Sequence, residues 1–195
     1  MTAEPQVSQR HATGKQVRLC LFGPSGSGKS SSARIISEMV AAHGRSFARI
    51  GIGEPLYQMQ ESFYQVAGLG APTKQDQVLL TDIATHLRRL NPECLIQAFE
   101  LRLSRWENAD VVVNDDLRDS EIDYPRLREL SFRFVHIKAH PEVRGCRLLQ
   151  RGDLSRGDES KFSYSKISPD YVVENDGTSL QQLRDALHGT LGELL

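Results

Sequence analysis

The stretch Gly23-Pro24-Ser25-Gly26-Ser27-Gly28-Lys29-Ser30 spells G-x-x-x-x-G-K-S and decides how the rest of the chain is read. Before it, Val17-Arg18-Leu19-Cys20-Leu21-Phe22 is a short apolar run of strand type. After it, Ala33, Ile35, Ile36, Met39 and Val40 recur at helical spacing through residues 31–43. Strand, glycine loop and helix form the setting in which this pattern becomes a phosphate site. Glycines let backbone N–H groups turn inward around phosphate oxygens, and the new helix aims its positive end at them. Gly23, Ser25, Gly26, Ser27, Gly28, Lys29, Ser30 and Ser31 are therefore the candidate nucleotide-binding residues. Lys29 is expected to reach the β- and γ-phosphates of ATP, and the Ser30 hydroxyl to ligate Mg²⁺.

Working outward, 195 residues suffice for one domain with a real core, expected over 16–195 after a polar, disordered leader at 1–15. A formal charge of −1 argues against non-specific duplex binding, which needs a basic excess. Cys20, Cys94 and Cys146 are far apart and form no zinc pattern, so a reducing, cytoplasmic setting is expected. No apolar run approaches the roughly 20 residues of a membrane span, so no membrane partner is expected. Monomer and homodimer both remain open.

The elements alternate. A second strand is expected over 46–52, and Pro55 suits the first turn of a helix running to about 67. After the break at 68–72, Thr73 is the expected cap of a helix over 74–90, with Val78, Leu79, Ile83, Leu87 and Leu90 on its apolar side. A further helix after Pro92 carries Leu95, Ile96, Phe99, Leu103 and Trp106 as its stripe. Residues 109–114 read as a buried parallel strand, followed by a helix at 121–130, a strand at 132–138 and a helix from Pro141. Residues 151–166 form a polar excursion, 170–174 a last strand, and Thr178 is the expected cap of the final helix, with Gln181 as its partner. Strands separated by helices imply an α/β three-layer sandwich, a five-stranded parallel sheet flanked by helices with ligands at the strands' carboxyl ends.

The absence of N-K-x-D and L-S-G-G-Q sets aside GTPases and transporter ATPases, leaving a small kinase with a lid and an acceptor site. Arg144, Arg147 and Arg151 share one helix face ahead of Arg156, a lid candidate spanning about 144–166. Cations there would offset the charge spread over a transferring phosphoryl group. Asp115 and Asp116 end the buried strand where Mg²⁺ and the acceptor should lie, and Arg118 is placed to clamp an acceptor phosphate. Glu54 faces the same region, either as base or positioning residue or as a first-turn glutamate. Tyr57, Phe63, Tyr64, Arg102 and Arg105 are candidate acceptor contacts in a helical region over about 54–107.

Taken together, the glycine loop, Glu54-Pro55-Leu56, residues 113–118 and the closing 169–178 resemble the P-loop nucleoside-monophosphate-kinase-like superfamily. The nearest look is to deoxynucleoside monophosphate kinases, with Glu54 matching an acidic-Pro-Leu turn and Asp116 and Arg118 an Asp-x-Arg. The C-terminal third resembles dephospho-coenzyme A kinase, through residues 147–155 and 170–177. The first half departs from that family, since Gly51-Ile52-Gly53-Glu54 stands where an Asp-x-Asp belongs. By resemblance, Asn175 to Thr178, Gly177 among them, would contact adenine, with Arg147 against it. The implied activity is ATP- and Mg²⁺-dependent phosphoryl transfer to a nucleotide or nucleoside, first of all a (deoxy)nucleoside monophosphate. The alternatives are a hydroxyl acceptor (dephospho-coenzyme A, a nucleoside, a modified base or end in DNA) and a non-kinase ATP-binding switch.

Overall fold

A computed structural model describes residues 15–152, 163–177 and 179–195. Its centre is one five-stranded sheet of β1 (Val17–Phe22), β2 (Phe47–Arg49), β3 (Val111–Asn114), β4 (Arg133–Lys138) and β5 (Tyr171–Glu174). All four pairings are parallel and the order is β2-β3-β1-β4-β5. Among the described residues seven α-helices flank it: α1 (Lys29–Ala42), α2 (Glu54–Val66), α3 (Gln77–Leu90), α4 (Cys94–Leu103), α5 (Asp123–Glu129), α6 (Pro141–Arg151) and α7 (Leu180–Leu191).

Two apolar layers hold these elements to the sheet, and the period of two in a strand explains the division. From β1, Leu19 and Leu21 join Ile36, Val40, Leu183 and Leu187 of α1 and α7. Cys20 and Phe22 point the other way, to Leu56, Leu80, Leu95, Phe99 and Leu127 of α2 to α5. With both faces covered, the interior strands read as unbroken apolar runs rather than alternating ones. The chain leaves β1 toward β2 and β3 on one side and then crosses to β4 on the other. That reversal opens a crevice beyond the carboxyl ends of the central strands.

Some boundaries differ from the sequence reading. The second strand is only Phe47–Arg49, although the Ile50 N–H still donates to the Val113 carbonyl at 3.0 Å. The cap of α3 is Asp76, not Thr73: its carboxylate accepts from the Leu79 N–H at 3.2 Å, while Thr73 lies in the preceding loop. The buried phase of α3 is Leu80 and Ile83, leaving Val78 and Leu90 exposed, and Trp106 is exposed at the end of the α4 stripe. Helix α7 is capped by Ser179 with Gln182 as a complete capping box, one residue later than the expected pair. Thr178 itself, most of the leader and 153–162 of the expected lid, with Arg156, lie outside the described residues. No helix among the described residues is long and apolar enough to cross a membrane.

Asp76 also accepts from the Tyr64 hydroxyl at 3.0 Å, tying α2 to the start of α3. Asp76→Ala is expected to cost about 1 kcal/mol or slightly more, the usual worth of an N-cap, which urea unfolding would measure. A loss below a few tenths would leave the cap without energetic weight.

A second polar tie lies deeper. Asp123, fully buried at the start of α5, accepts from Arg88 Nη2 of α3 on both carboxylate oxygens, at 2.9 and 3.0 Å, and from the Arg118 backbone N–H. Burial pushes its carboxyl up to about 6 even though Arg88 pulls the other way.

Candidate active site

The glycine loop joins β1 to α1 and is shaped from behind. Gly28 has φ +103°, and a Cβ there would run into Nδ2 of Asn175; one at Gly23, φ +142°, would meet the Ile137 carbonyl oxygen. Left-handed backbone and lack of space both require glycine at these positions. Asn175, buried just past β5, donates Nδ2 to the Ser27 carbonyl at 2.7 Å, holding the loop against the sheet. Lys29 Nζ folds over the loop and donates to the Gly23 and Pro24 carbonyls at 2.6 and 3.1 Å.

Three carboxylates face this loop across a cleft of about 1080 Å³. Asp115, just beyond β3 and nearly buried, accepts the Ser30 hydroxyl hydrogen on Oδ2 at 3.0 Å. The same carboxylate is gripped by Arg49 from the end of β2, Nε to Oδ1 at 2.8 Å and Nη2 to Oδ2 at 2.6 Å. Asp116 pairs through Oδ1 with Arg118 Nε at 2.6 Å and accepts the Gly53 N–H on Oδ2 at 2.9 Å. Glu54, first residue of α2, stays half-exposed with Oε2 3.5 Å from Arg102 Nη1, and Arg102 Nη2 donates to the Gly51 carbonyl at 2.9 Å.

Tyr57 anchors the acceptor end. Its phenolic oxygen accepts from Arg118 Nη2 at 2.7 Å and from Gln75 Nε2 at 3.0 Å, and Gln77 Nε2 donates in turn to Gln75. Burial, with Asp116 second, pushes the phenol up to about 12, so it keeps its hydrogen at neutral pH. Gln77 and Thr81 of α3 continue this wall. On the opposite side, Arg147 of α6 donates to the carbonyls of Gly26 at 3.3 Å and Gly177 at 2.9 Å and lies 3.4 Å from Asn175 Oδ1. Arg144 reaches the Ser25 carbonyl at 3.4 Å, and Arg151 lines the cleft at the end of α6.

Of the candidate residues, Gly23, Ser25, Gly26, Gly28, Lys29, Ser30, Ser31, Glu54, Tyr57, Asp115, Asp116, Arg118, Arg147 and Arg151 line one cleft. Ser27 is buried beneath it, and Asn175 and Gly177 stand behind the loop, bonded to Ser27 and Arg147. Tyr64 is committed to Asp76, and Phe63 is exposed. Arg102 and Arg105 are also absent from the lining. The sequence reading missed Arg49, Gln75, Gln77, Thr81 and Tyr164. For Arg49 a signal existed, since a cation closing a strand of a parallel sheet points to the ligand crevice.

The donor set suits Mg²⁺, a hard ion that takes one or two protein oxygens and completes its shell with phosphates and water. Ser30 Oγ and Asp115 Oδ2, 3.0 Å apart, supply such oxygens. No group of three or more His, Cys, Asp or Glu among the described residues could hold a metal ion.

No protein-family model and no curated protein sequence matches this chain. Among solved structures, TT1252 from Thermus thermophilus is similar with a TM-score of 0.56 at 19% identity, covering 93% of this chain and 100% of that one. Shikimate kinase from Bacteroides thetaiotaomicron gives 0.48 at 16% identity over 91% of this chain and 97% of its own. Mycobacterium tuberculosis APS kinase, in complex with AMPPNP and APS, gives 0.43 at 19% over 89% and 97%. At such identities the likeness is one of fold. The parallel order β2-β3-β1-β4-β5, the G-x-x-x-x-G-K-S loop after β1 and the match to TT1252 along nearly the whole of both chains give this protein a P-loop three-layer α/β fold.

Proposed function

We propose that the protein is a phosphotransferase moving the γ-phosphoryl group of ATP, with Mg²⁺, to a small nucleotide or nucleoside acceptor held between α2, α3 and α6. The observation that carries this reading is one cleft lined both by a phosphate loop and by Glu54, Asp115 and Asp116. The cations Lys29, Arg147 and Arg151 lie on the loop and α6 side, matched to a triphosphate.

The acceptor half has a different balance. Its cations Arg49 and Arg118 are each joined to a carboxylate at 2.6 Å, and Arg102, just outside, stands by Glu54. A phosphate dianion would find no cation there without a carboxylate beside it, so this pairing supports a hydroxyl acceptor, such as a nucleoside, over a monophosphate. Both Asp116 oxygens are committed to Arg118 and the Gly53 N–H, whereas half-exposed Glu54 is held only by a 3.5 Å pair. Glu54 is thus the proposed base. It accepts the proton of the acceptor hydroxyl as that oxygen bonds to the γ-phosphorus and the bond to the bridging oxygen breaks, releasing ADP. Lys29 and the lid-side arginines meet the charge that develops. A monophosphate acceptor remains the second reading, favoured by Arg118 lining the cleft.

The test is ADP release from ATP and Mg²⁺ against nucleosides, nucleoside monophosphates, dephospho-coenzyme A and short single-stranded DNA. For a hydroxyl acceptor, Glu54→Gln should lower kcat by about a hundredfold or more, the usual yield of a positioned general base. Near-normal turnover of the variant would remove Glu54 as base and favour the monophosphate. ADP release that no acceptor stimulates would instead point to an ATP-binding switch.

A further inference from the structure

The grip of Arg49 on Asp115 covers the two side chains that suit the metal. Asp115 Oδ2 receives the Ser30 hydroxyl at 3.0 Å and Arg49 Nη2 at 2.6 Å, while that same nitrogen lies 3.3 Å from Ser30 Oγ. Mg²⁺ bonded to these oxygens at about 2.1 Å would need the lone pairs that the guanidinium now occupies. Two cations cannot share them at such spacing without strong repulsion. Burial decides which partner yields. The Asp115 side chain is 4% exposed and cannot stand alone as an anion, whereas Arg49 is 49% exposed and reaches water by rotating out.

We propose that Arg49 is a resident stand-in for the metal: it keeps Asp115 and Ser30 paired while the nucleotide site is empty and is displaced from Asp115 when Mg²⁺ arrives with the nucleotide. This rests on the phosphate-site reading above. Asp115 thereby exchanges one cation for another and is never left as a bare buried anion. Metal entry must work against an ion pair, so the apparent Mg²⁺ affinity of the wild-type protein is lower than its two oxygen donors would give.

The experiment is a Mg²⁺ titration of ADP binding by isothermal calorimetry, with the wild type, Arg49→Ala and Arg49→Lys. Losing the competitor should lower the Mg²⁺ midpoint of Arg49→Ala by about three- to tenfold, the fold-change a partly exposed bidentate pair can contribute. Arg49→Lys, a point charge without the fork, should fall between the two. Without metal, Arg49→Ala should melt lower than the wild type and gain more from Mg²⁺·ADP, because only its empty state is penalised. An unchanged midpoint, or one moved to higher Mg²⁺, would overturn the stand-in role and make Arg49 a structural or phosphate-binding residue. Failure of the wild type to bind ADP at any Mg²⁺ concentration would overturn the nucleotide site itself, and the exchange with it.

Discussion

Lys29→Ala is expected to slow phosphoryl transfer by about a thousandfold, at the upper end of what one preorganised charge contact contributes. In a P-loop the lysine works as a point charge on the β- and γ-phosphates, where negative charge shifts during transfer. In this protein Nζ already lies over the loop, held by the Gly23 and Pro24 carbonyls, so little reorganisation separates it from a bound phosphate. The loop's shape comes from its glycines and from Asn175 rather than from the lysine. The variant should therefore keep its fold, with stability within about 1 kcal/mol of the wild type, the net worth of an ordinary hydrogen bond. Steady-state ADP release beside a thermal melt separates the two effects. Transfer retained at a tenth of the wild-type rate or better would refute the assignment of the site.

Arg88→Ala is expected to be the most destabilising charge change, and its cost should depend on pH. Arg88 is the partner of the fully buried Asp123, and removing one member of such a pair costs about 3–5 kcal/mol because the other is left uncompensated. In the wild type the Asp123 carboxyl titrates near 6 when folded, above its ordinary 3.8. The folded state thus binds this proton more tightly than the unfolded one. The group's contribution to stability is fully present below about pH 4 and is lost as the pH rises through about 6. Without Arg88 the carboxyl moves higher still, so the folded variant holds it neutral at pH 5 at little cost, whereas at pH 8 it must either ionise without its partner or keep a proton that the solvent would take. Urea unfolding should show the full loss at pH 8 and a clearly smaller one at pH 5. Equal losses at both would mean that Arg88 acts through packing between α3 and α5 rather than through its charge.

Much of the sheet could be read in advance because it is built from runs such as Leu19-Cys20-Leu21-Phe22 and Val111-Val112-Val113, whose apolar character admits few alternatives. The phosphate loop was legible for a covalent reason, since its contacts are made by consecutive backbone and side-chain groups. The acceptor wall was not. Gln75 and Gln77 sit in and just after a polar loop that looks like any other, and only the return of α3 toward Tyr57 gives them a role. Arg49 escaped because its partner Asp115 is 66 residues away, brought alongside by the β2–β3 pairing. The helix starts were misplaced where two capping residues compete. Thr73 and Asp76 both satisfy the rule, and Asp76 prevails because Gln60 accepts its backbone N–H and Tyr64 donates to its carboxylate.

The hydrogen bond from Asn175 to Ser27 spans 148 positions of the chain. During synthesis the glycine loop leaves the ribosome before β3 and β4, the sheet neighbours of the adjoining β1, have been made. At about 5–20 residues per second, roughly seven to thirty seconds pass before Asn175 has been added behind it. For that interval the nascent chain carries the complete signature of a nucleotide site without the wall that gives the loop its shape. Completion of the loop's wall thus waits on the addition of β5 and Asn175.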